Sequence, residues 1–458
     1  MTEAVAGNDY SRIAEDAATW QRSARQPGVP AAVVIPVYNR CLMLARTLAG
    51  LARQTYPKEL MQVVVADDGS SDDVASVLRR FDGLLQLDYV RQDDRGYRLA
   101  AVRNKGIRLA RHDCIILLDA DVIPVPEFIA AFMAYFHVTR EAVLLGRRKF
   151  VDATGVSDSA ILADPGVLAG IPRVRSRNPI FQPFSDNGVT RDWREDEYRS
   201  TNYLKESPWP FRSLVGAAAA IPRWAFEQVG GFCEDFMHWG GEDAEIGFRL
   251  YREGLFFIPV MQAVGLHQEP DNDAVVVDRR AGKKHTDLLL ERKCPLYFRN
   301  RPLFDHDSVS RCSILAASGN RQAAEELERR LSANGVDAEL IFVDIRTGEG
   351  WRIRSGSGCP PGRLTGIHSF EGMARLTQAP TCILLDHAHS LPWDTLDQLR
   401  SDSGTPALFE TPERFPRHPG VYRRGDILRM LRRRDTEIPP SPACSARPSP
   451  GSCGVPSG

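Results

Sequence analysis

IILLDADVIP, residues 115–124, is the stretch on which the fold turns. Four consecutive apolar residues end at once in Asp119-Ala120-Asp121, with no polar alternation before them. A short unbroken apolar run of this kind reads as a strand buried on both faces, the habit of parallel sheets. The same pattern occurs twice upstream. Ala31 to Ile35 (AAVVI) is stopped by Pro36, and Val63 to Ala66 runs straight into Asp67-Asp68-Gly69-Ser70. Between those two runs, Cys41 to Gln54 places Leu44, Leu48 and Leu51 at helical spacing. Strands separated by helical stretches predict an α/β fold, with a mostly parallel central sheet flanked by crossover helices. In open sheets of this type ligands bind beyond the carboxyl ends of the strands. The acids that close these runs therefore mark the site as well as the fold.

Outward from this nucleus, residues 151–213 are irregular and rich in Pro, Arg, Asp and aromatics. A connection of that length predicts a functional loop or lid with short elements of its own. Glu242 to Glu253 reads as a helix. Acids at 242, 243 and 245 suit its first turn, Glu245 and Arg249 form an i,i+4 pair, and Gly254 stands where a cap belongs. After Asp307 the pattern restarts. SILAAS and AELIFVDI read as strands, GNRQAAEELERRLSANG as a helix, and TCILLD repeats the run closed by an acid. The expected organisation is a tail or short helix over 1–27, a main domain over 28–307, a small α/β unit over 308–437, and a disordered Pro/Ser/Gly-rich tail over 438–458.

The 458 residues carry 58 basic and 59 acidic side chains, a formal net charge of -1. That balance argues against a nucleic-acid binder driven by bulk charge. Nine cysteines, an odd number and without a CxxC pair, argue against a disulfide framework or a zinc site. The N-terminus lacks the basic-then-apolar layout of a signal peptide, and no apolar run approaches the length of a membrane span. A cytoplasmic protein is the expectation, one that visits a membrane surface at most peripherally rather than crossing it. Oligomeric state is not legible.

Two carboxylates one residue apart, just past a buried strand, suit the anchoring of a divalent cation on a diphosphate. Alone, an Asp-x-Asp triplet is a weak signal, since most are solvated loop acids. Its ordered company is specific: VVIPVYNR (33–40), VVVADDGSSDD (63–73), DDRGYRLAAVRNKGI (93–107), IILLDADVIP, GGFCEDFMHWGGEDAEIGFRL (230–250) and His267 in VGLHQEP. With this set the sequence resembles family-2 glycosyltransferases of the GT-A fold. The WGGED segment resembles the galactosyltransferase-type C-terminal half of chondroitin-polymerase-like and β-1,4-galactosyltransferase-like enzymes. The sequence also resembles validoxylamine-glucosyltransferase-like enzymes. The resemblance covers about 31–270.

What the resemblance implies is an inverting, metal-dependent transfer of a hexose from a UDP-sugar to a hydroxyl acceptor. Pro36, Tyr38 and Asn39 fall in the first nucleotide-contacting loop. Asp67 and Asp68 match acids that contact uracil and ribose; the plainer reading is a DDGS turn capping the next helix. Arg98, Arg103 and Asn104 match the segment that reaches the nucleotide or its phosphates, against a salt bridge on a helix face. Asp121 is the expected ligand of Mn²⁺ or Mg²⁺, with Asp119 on the ribose, on metal-bound water or on the ion, and His267 completing the set. Trp239, Gly240, Gly241 and Glu242 match the acceptor side. Asp243 is the expected base, with Glu242 as its alternative. A small acceptor such as an aminocyclitol is favoured, and a polysaccharide or glycolipid acceptor is the alternative.

Two readings of other classes compete. A nucleotidyltransferase predicts a Gly-rich phosphate loop after the first strand, where PVYNR stands instead. A non-catalytic nucleotide- or sugar-binding module predicts loss of the acids, all of which are present.

Overall fold

The computed structural model describes residues 8–23, 27–178, 181–207, 209–269 and 280–294, and parts of 312–423. The chain begins with α1 (Ser11–Arg22). Then β1 (Ala31–Val37), α2 (Cys41–Ala52), β2 (Met61–Asp67), α3 (Val74–Arg79), β3 (Gln86–Arg91), α4 (Leu99–Leu109) and β4 (Cys114–Leu118) alternate, followed by β5 (Val122–Pro124), α5 (Phe128–Phe136) and β6 (Ala142–Val151). The irregular stretch holds short elements, as expected: α6 (Asp158–Ala163), the hairpin of β7 (Ser185–Asp186) and β8 (Val189–Thr190), and α7 (Arg194–Ser200). After it come β9 (Ala218–Pro222), α8 (Arg223–Gln228), α9 (Glu242–Arg252), β10 (Phe256–Gln268) and α10 (Arg280–Lys293).

The apolar runs form strands because nothing in them asks for water. Every residue of β1, β2, β4 and β9 is buried. Among the described residues they belong to an eight-stranded sheet of order β3-β2-β1-β4-β9-β6-β10-β5. The α/β class is as expected, but the sheet is more mixed than the apolar runs suggested. β3, β2, β1 and β4 are mutually parallel, as are β6 and β10. β9 enters antiparallel between β4 and β6, and β5 pairs antiparallel with the end of β10. Helices cover both faces. Leu44 and Leu48 of α2 and Phe128 and Phe132 of α5 pack on one apolar layer, while Ile107 of α4 and Ile246 and Phe248 of α9 pack on the other.

The N-terminal segment is built into this body. The Asn8 side chain donates to Leu204 O and Phe257 O, both at 2.9 Å, and accepts from Phe257 N at 2.8 Å. Trp20 of α1 stacks on His137, with centroids 4.0 Å apart.

A second sheet contains β11 (Cys312–Ala316), β12 (Ala338–Asp344), β13 (Glu349–Arg354), β14 (Gly362–Leu364), β15 (Thr381–Leu385) and β16 (Gly420–Arg423), in the order β14-β13-β12-β11-β15-β16. α11 (Arg321–Ala333) lies between β11 and β12 in the chain. The tail from Pro439 onward lies outside the described residues. Among the described residues, no helix is long and apolar enough to cross a membrane.

Candidate active site

The carboxyl edges of β1 and β2 are joined by side chains that close on their own loops. Asn39, at φ 50°, accepts through its amide oxygen from Ser71 N and Ser71 Oγ at 2.8 and 3.0 Å. Asp67 Oδ1 accepts from Gly69 N and Ser70 N, and Oδ2 accepts from the Tyr89 hydroxyl at 2.7 Å. Asp67 thus holds its own turn, while the helix that follows is capped by Asp73, whose side chain accepts from Ser76 N. Asp68 accepts from Gln92 Nε2 at 2.6 Å and from Arg98 N at 3.1 Å. Burial pushes its carboxyl above the ordinary range, with Gln92 opposing. Tyr38 is 45% exposed and donates its hydroxyl to Asp94 Oδ2 at 3.0 Å. Pro36 is buried inside β1, opposite Ala66. The open face of this mouth is therefore Tyr38, Asp94 and the backbone around Arg98.

Further along the edge, β4 turns into β5 through Asp119-Ala120-Asp121, closed by Val122 N donating to Asp119 O at 3.1 Å. The pairing of β5 with β10 sets His267 opposite Val122, and Gln268 N donates to Asp121 O at 2.8 Å. His267 Nε2 comes to 3.9 Å from Asp121 Oδ1. That separation exceeds a hydrogen bond. Among the described residues Asp121 Oδ1, the atom that faces His267 Nε2, is buried without a hydrogen-bond partner, and so is the other ring nitrogen of His267, Nδ1. The unsatisfied Asp121 oxygen calls for an explanation, and a divalent cation between it and His267 Nε2 supplies one for that atom, though not for Nδ1. The pair fits that ion: two potential donors, carboxylate and imidazole, face one another from different strands. Among the described residues no third His, Cys, Asp or Glu joins them as a metal-holding group. Substrate oxygens and water would fill the remaining positions, as is common for a cation on a diphosphate. Phe150 and Phe181 flank the imidazole, at centroid distances of 4.8 and 6.1 Å.

The WGGED motif opens α9. Gly241 has φ +103°, and a Cβ there would meet Phe236 Cε1 at 2.8 Å. Only glycine makes this turn without strain, and it delivers Glu242 and Asp243 into the first turn of the helix. Trp239 lies 6.3 Å from Phe181 in an edge-on contact, and its carbonyl accepts from Thr286 Oγ1 of α10 at 3.2 Å. Gly240 and Gly241 are partly exposed.

Arg103 joins this motif to the edge of β4. Its Nη2 donates to Asp119 Oδ1 at 2.9 Å, and its Nη1 to Asp243 Oδ1 at 3.0 Å and Glu242 Oε1 at 3.3 Å. Asp243 Oδ2 accepts from Gly216 N at 2.9 Å. Among the described residues Glu242 Oε2 is buried without a partner. Burial and then the neighbouring Asp243 charge push the Glu242 carboxyl up to about 7. Burial also raises Asp243, against the pull of Arg103.

The predicted residues thus gather along one sheet edge, but several are engaged differently from what the motifs imply. Arg103, matched to the phosphate-reaching segment, has both terminal nitrogens on carboxylates. Asn104 donates to Phe232 O and Glu234 Oε1 and accepts from Phe232 N, tying down the loop before WGGED. Asp119 is bound to Arg103, whereas Asp121 faces His267. Sequence reasoning missed a buried ionic cluster under the irregular stretch. Asp192 lies between Arg194 (2.6 Å) and Arg148 (3.4 Å), and all three are nearly inaccessible. Its signal, the charge-rich TRDWRED, reads as a solvated turn without the fold.

Residues 32–200 match the family model for glycosyl transferase family 2, and residues 199–263 match that for the N-terminal domain of galactosyltransferase. Residues 32–200 carry a family 2 glycosyltransferase domain. Among curated relatives, the chain is 37% identical over 318 residues to a chondroitin synthase of Escherichia coli, covering 68% of this chain and 46% of that protein. A hyaluronan synthase of Pasteurella multocida is 33% identical over 62% of this chain and 29% of its own length. A validoxylamine A glucosyltransferase of Streptomyces hygroscopicus subsp. jinggangensis is 32% identical over 57% of this chain and 62% of its own. The chain therefore spans less than two thirds of each of these relatives. The two family matches together run from the first strand through most of β10, so both the Asp119/Asp121 turn and the WGGED helix lie within matched sequence.

Proposed function

We propose that the family 2 domain moves a hexose from a UDP-sugar to an acceptor hydroxyl, with inversion and with Mn²⁺ or Mg²⁺. The observation that carries this reading is the convergence on one sheet edge of Asp121, whose inward oxygen faces His267 Nε2 at 3.9 Å, and the Glu242/Asp243 acids. Asp121 and His267 would hold the cation. When bound, that ion neutralises charge on the diphosphate as it departs.

The remaining chemistry belongs to the chain. Tyr38, Asp68 and the backbone at Arg98 border the place for the nucleoside, and Trp239 offers an apolar face to the acceptor sugar. The acceptor oxygen attacks the anomeric carbon from the side opposite the phosphate. Its bond forms as the anomeric C–O bond to phosphate breaks, UDP leaves with that electron pair, and the hydroxyl proton passes to Asp243. Such a base contributes roughly 10²- to 10⁴-fold.

The acceptor reading shifts from the sequence-based expectation. The relatives of longest match are polysaccharide synthases by name, which favours the growing end of a glycan. The glucosyltransferase relative, with the larger share of its own length matched, supports a small acceptor as the second reading. Calorimetric titration with UDP, and separately GDP, in Mn²⁺ and then in EDTA tests the donor side. Metal-dependent UDP binding is expected. Absence of metal-dependent binding of either nucleotide would overturn the reading.

A further inference from the structure

Arg103 is 1% exposed, yet it spans two parts of the site that the chain builds far apart. It comes from α4, reaches Asp119 at the end of β4 on the donor side, and reaches Glu242 and Asp243 at the start of α9 on the acceptor side. Space for it is provided by an absent side chain: a Cβ on Gly216 would lie 2.6 Å from the Arg103 guanidinium carbon. The same Gly216 donates its N–H to the second oxygen of Asp243. Asp243 is thus held at both oxygens, whereas Glu242 has one weaker contact and one oxygen with none.

We propose that Arg103 is a positioning residue: it fixes the Asp243 carboxylate against the donor edge and keeps it ionised, so that Asp243 and not Glu242 takes the acceptor proton. This rests on the glycosyl-transfer reading above. The charged groups around Asp243 are Arg103 from α4, Asp119 from the β4 edge, Glu242 beside it, Arg148 from β6 and Arg194 from α7. Of the cations among them, Arg103 alone has a direct bond to Asp243 among the described residues. An opposite charge in contact holds a carboxyl down by roughly one to three units. Removing it leaves burial and the acidic neighbours to push Asp243 up.

The test uses the full chain and three variants, Arg103→Gln, Arg103→Lys and Gly216→Ala. UDP affinity in Mn²⁺ is measured by calorimetry. UDP release from UDP-glucose, UDP-N-acetylglucosamine and UDP-glucuronate, with water as the acceptor, is followed across roughly pH 5 to 9. For Arg103→Gln the expected result is UDP affinity within about threefold of wild type, release slowed about 10²-fold or more, and an acidic limb moved up by roughly one to three units. Arg103→Lys, which keeps the charge but not the fork, should restore the limb more than the rate. UDP affinity falling in step with the rate would overturn the proposal and make Arg103 a phosphate contact. A lowered melting temperature with the acidic limb unmoved would overturn it in favour of packing alone. If Arg103→Gln does not fold, Gly216→Ala decides. Slowed release with UDP affinity retained supports the proposal, and an unchanged rate refutes it. Wild-type protein that binds no nucleotide would refute the glycosyl-transfer reading itself. Wild-type binding and release with unaffected variants would refute only the role of Arg103.

Discussion

Replacing Asn104 with Ala separates two roles that its sequence motif confounds. The amide is 5% exposed and makes three hydrogen bonds: to Phe232 O and Glu234 Oε1 at 2.9 Å, and from Phe232 N at 2.8 Å. Phe232 is itself 2% exposed, so neither of its backbone groups finds water when the amide is removed. Each hydrogen bond is worth roughly 0.5–1.5 kcal/mol net, and a buried group left without a partner loses about 1–3 kcal/mol. Glu234 is exposed and adds little. The two backbone bonds set the scale, at about 2–4 kcal/mol, which is roughly 30- to 700-fold in the unfolding equilibrium. Urea unfolding followed by tryptophan fluorescence reads this as a lower midpoint with an unchanged slope. Metal-dependent UDP affinity, measured on the folded variant, should stay within about twofold, because no donor atom of Asn104 is left to reach a nucleotide. An unchanged midpoint with UDP affinity reduced about tenfold or more would refute this reasoning and restore the contact that the motif implies.

Other outcomes follow from the same geometry. Asp243→Asn should retain metal-dependent UDP affinity while transfer falls by roughly 10²- to 10⁴-fold in a steady-state assay; near wild-type turnover would move the base elsewhere. Asp192→Ala leaves two buried guanidinium groups without their carboxylate and should lower stability by about 3–5 kcal/mol in urea unfolding. In the wild type, burial alone would raise Asp192, but Arg194 and Arg148 outweigh it and hold the carboxyl well below the ordinary range. Its contribution is therefore full above the unfolded value of about 4 and is lost as pH falls below it, so the Asp192→Asn stability curve should be flatter in acid. Glu242 is shifted the other way, up to about 7. Its contribution is full below the unfolded value near 4.3 and fades as pH rises through about 7. Glu242→Gln should then be more stable than wild type at alkaline pH, with the difference shrinking in acid.

The sheet was legible where sequence alone could specify it. Unbroken apolar runs at β1, β2 and β4 need no partner to be recognised, and the acids at 67–68 and 119–121 mark their ends. The helix from Glu242 was equally local. Its i,i+4 ion pair forms, with Arg249 Nε donating to Glu245 Oε1 at 2.8 Å. The direction of β9 was not legible, because an alanine-rich run carries no signal of the strands it will lie between. β3 (QLDYVR) was also missed, being an edge strand whose mixed residues follow neither an apolar run nor clear alternation. The site shows the same division. Asp121, His267 and Asp243 are residue types suited to metal and proton chemistry, whereas partners as far as 140 residues away help decide what Arg103 and Asn104 hold. An arginine suited to phosphate is indistinguishable, in sequence, from one that gathers carboxylates.

α10 carries a consequence for anyone who would recombine this protein. The family matches end at residue 263, which sets an obvious cut point for a chimera after Gln268. Yet Thr286 of α10 holds the Trp239 carbonyl, and Leu290 and Cys294 are buried in the same apolar layer as α9. An exchange that stops at the matched sequence would transplant the Trp239 loop without its brace. The portable cassette is longer than its recognisable motif, and specificity grafts should carry the chain at least through Cys294.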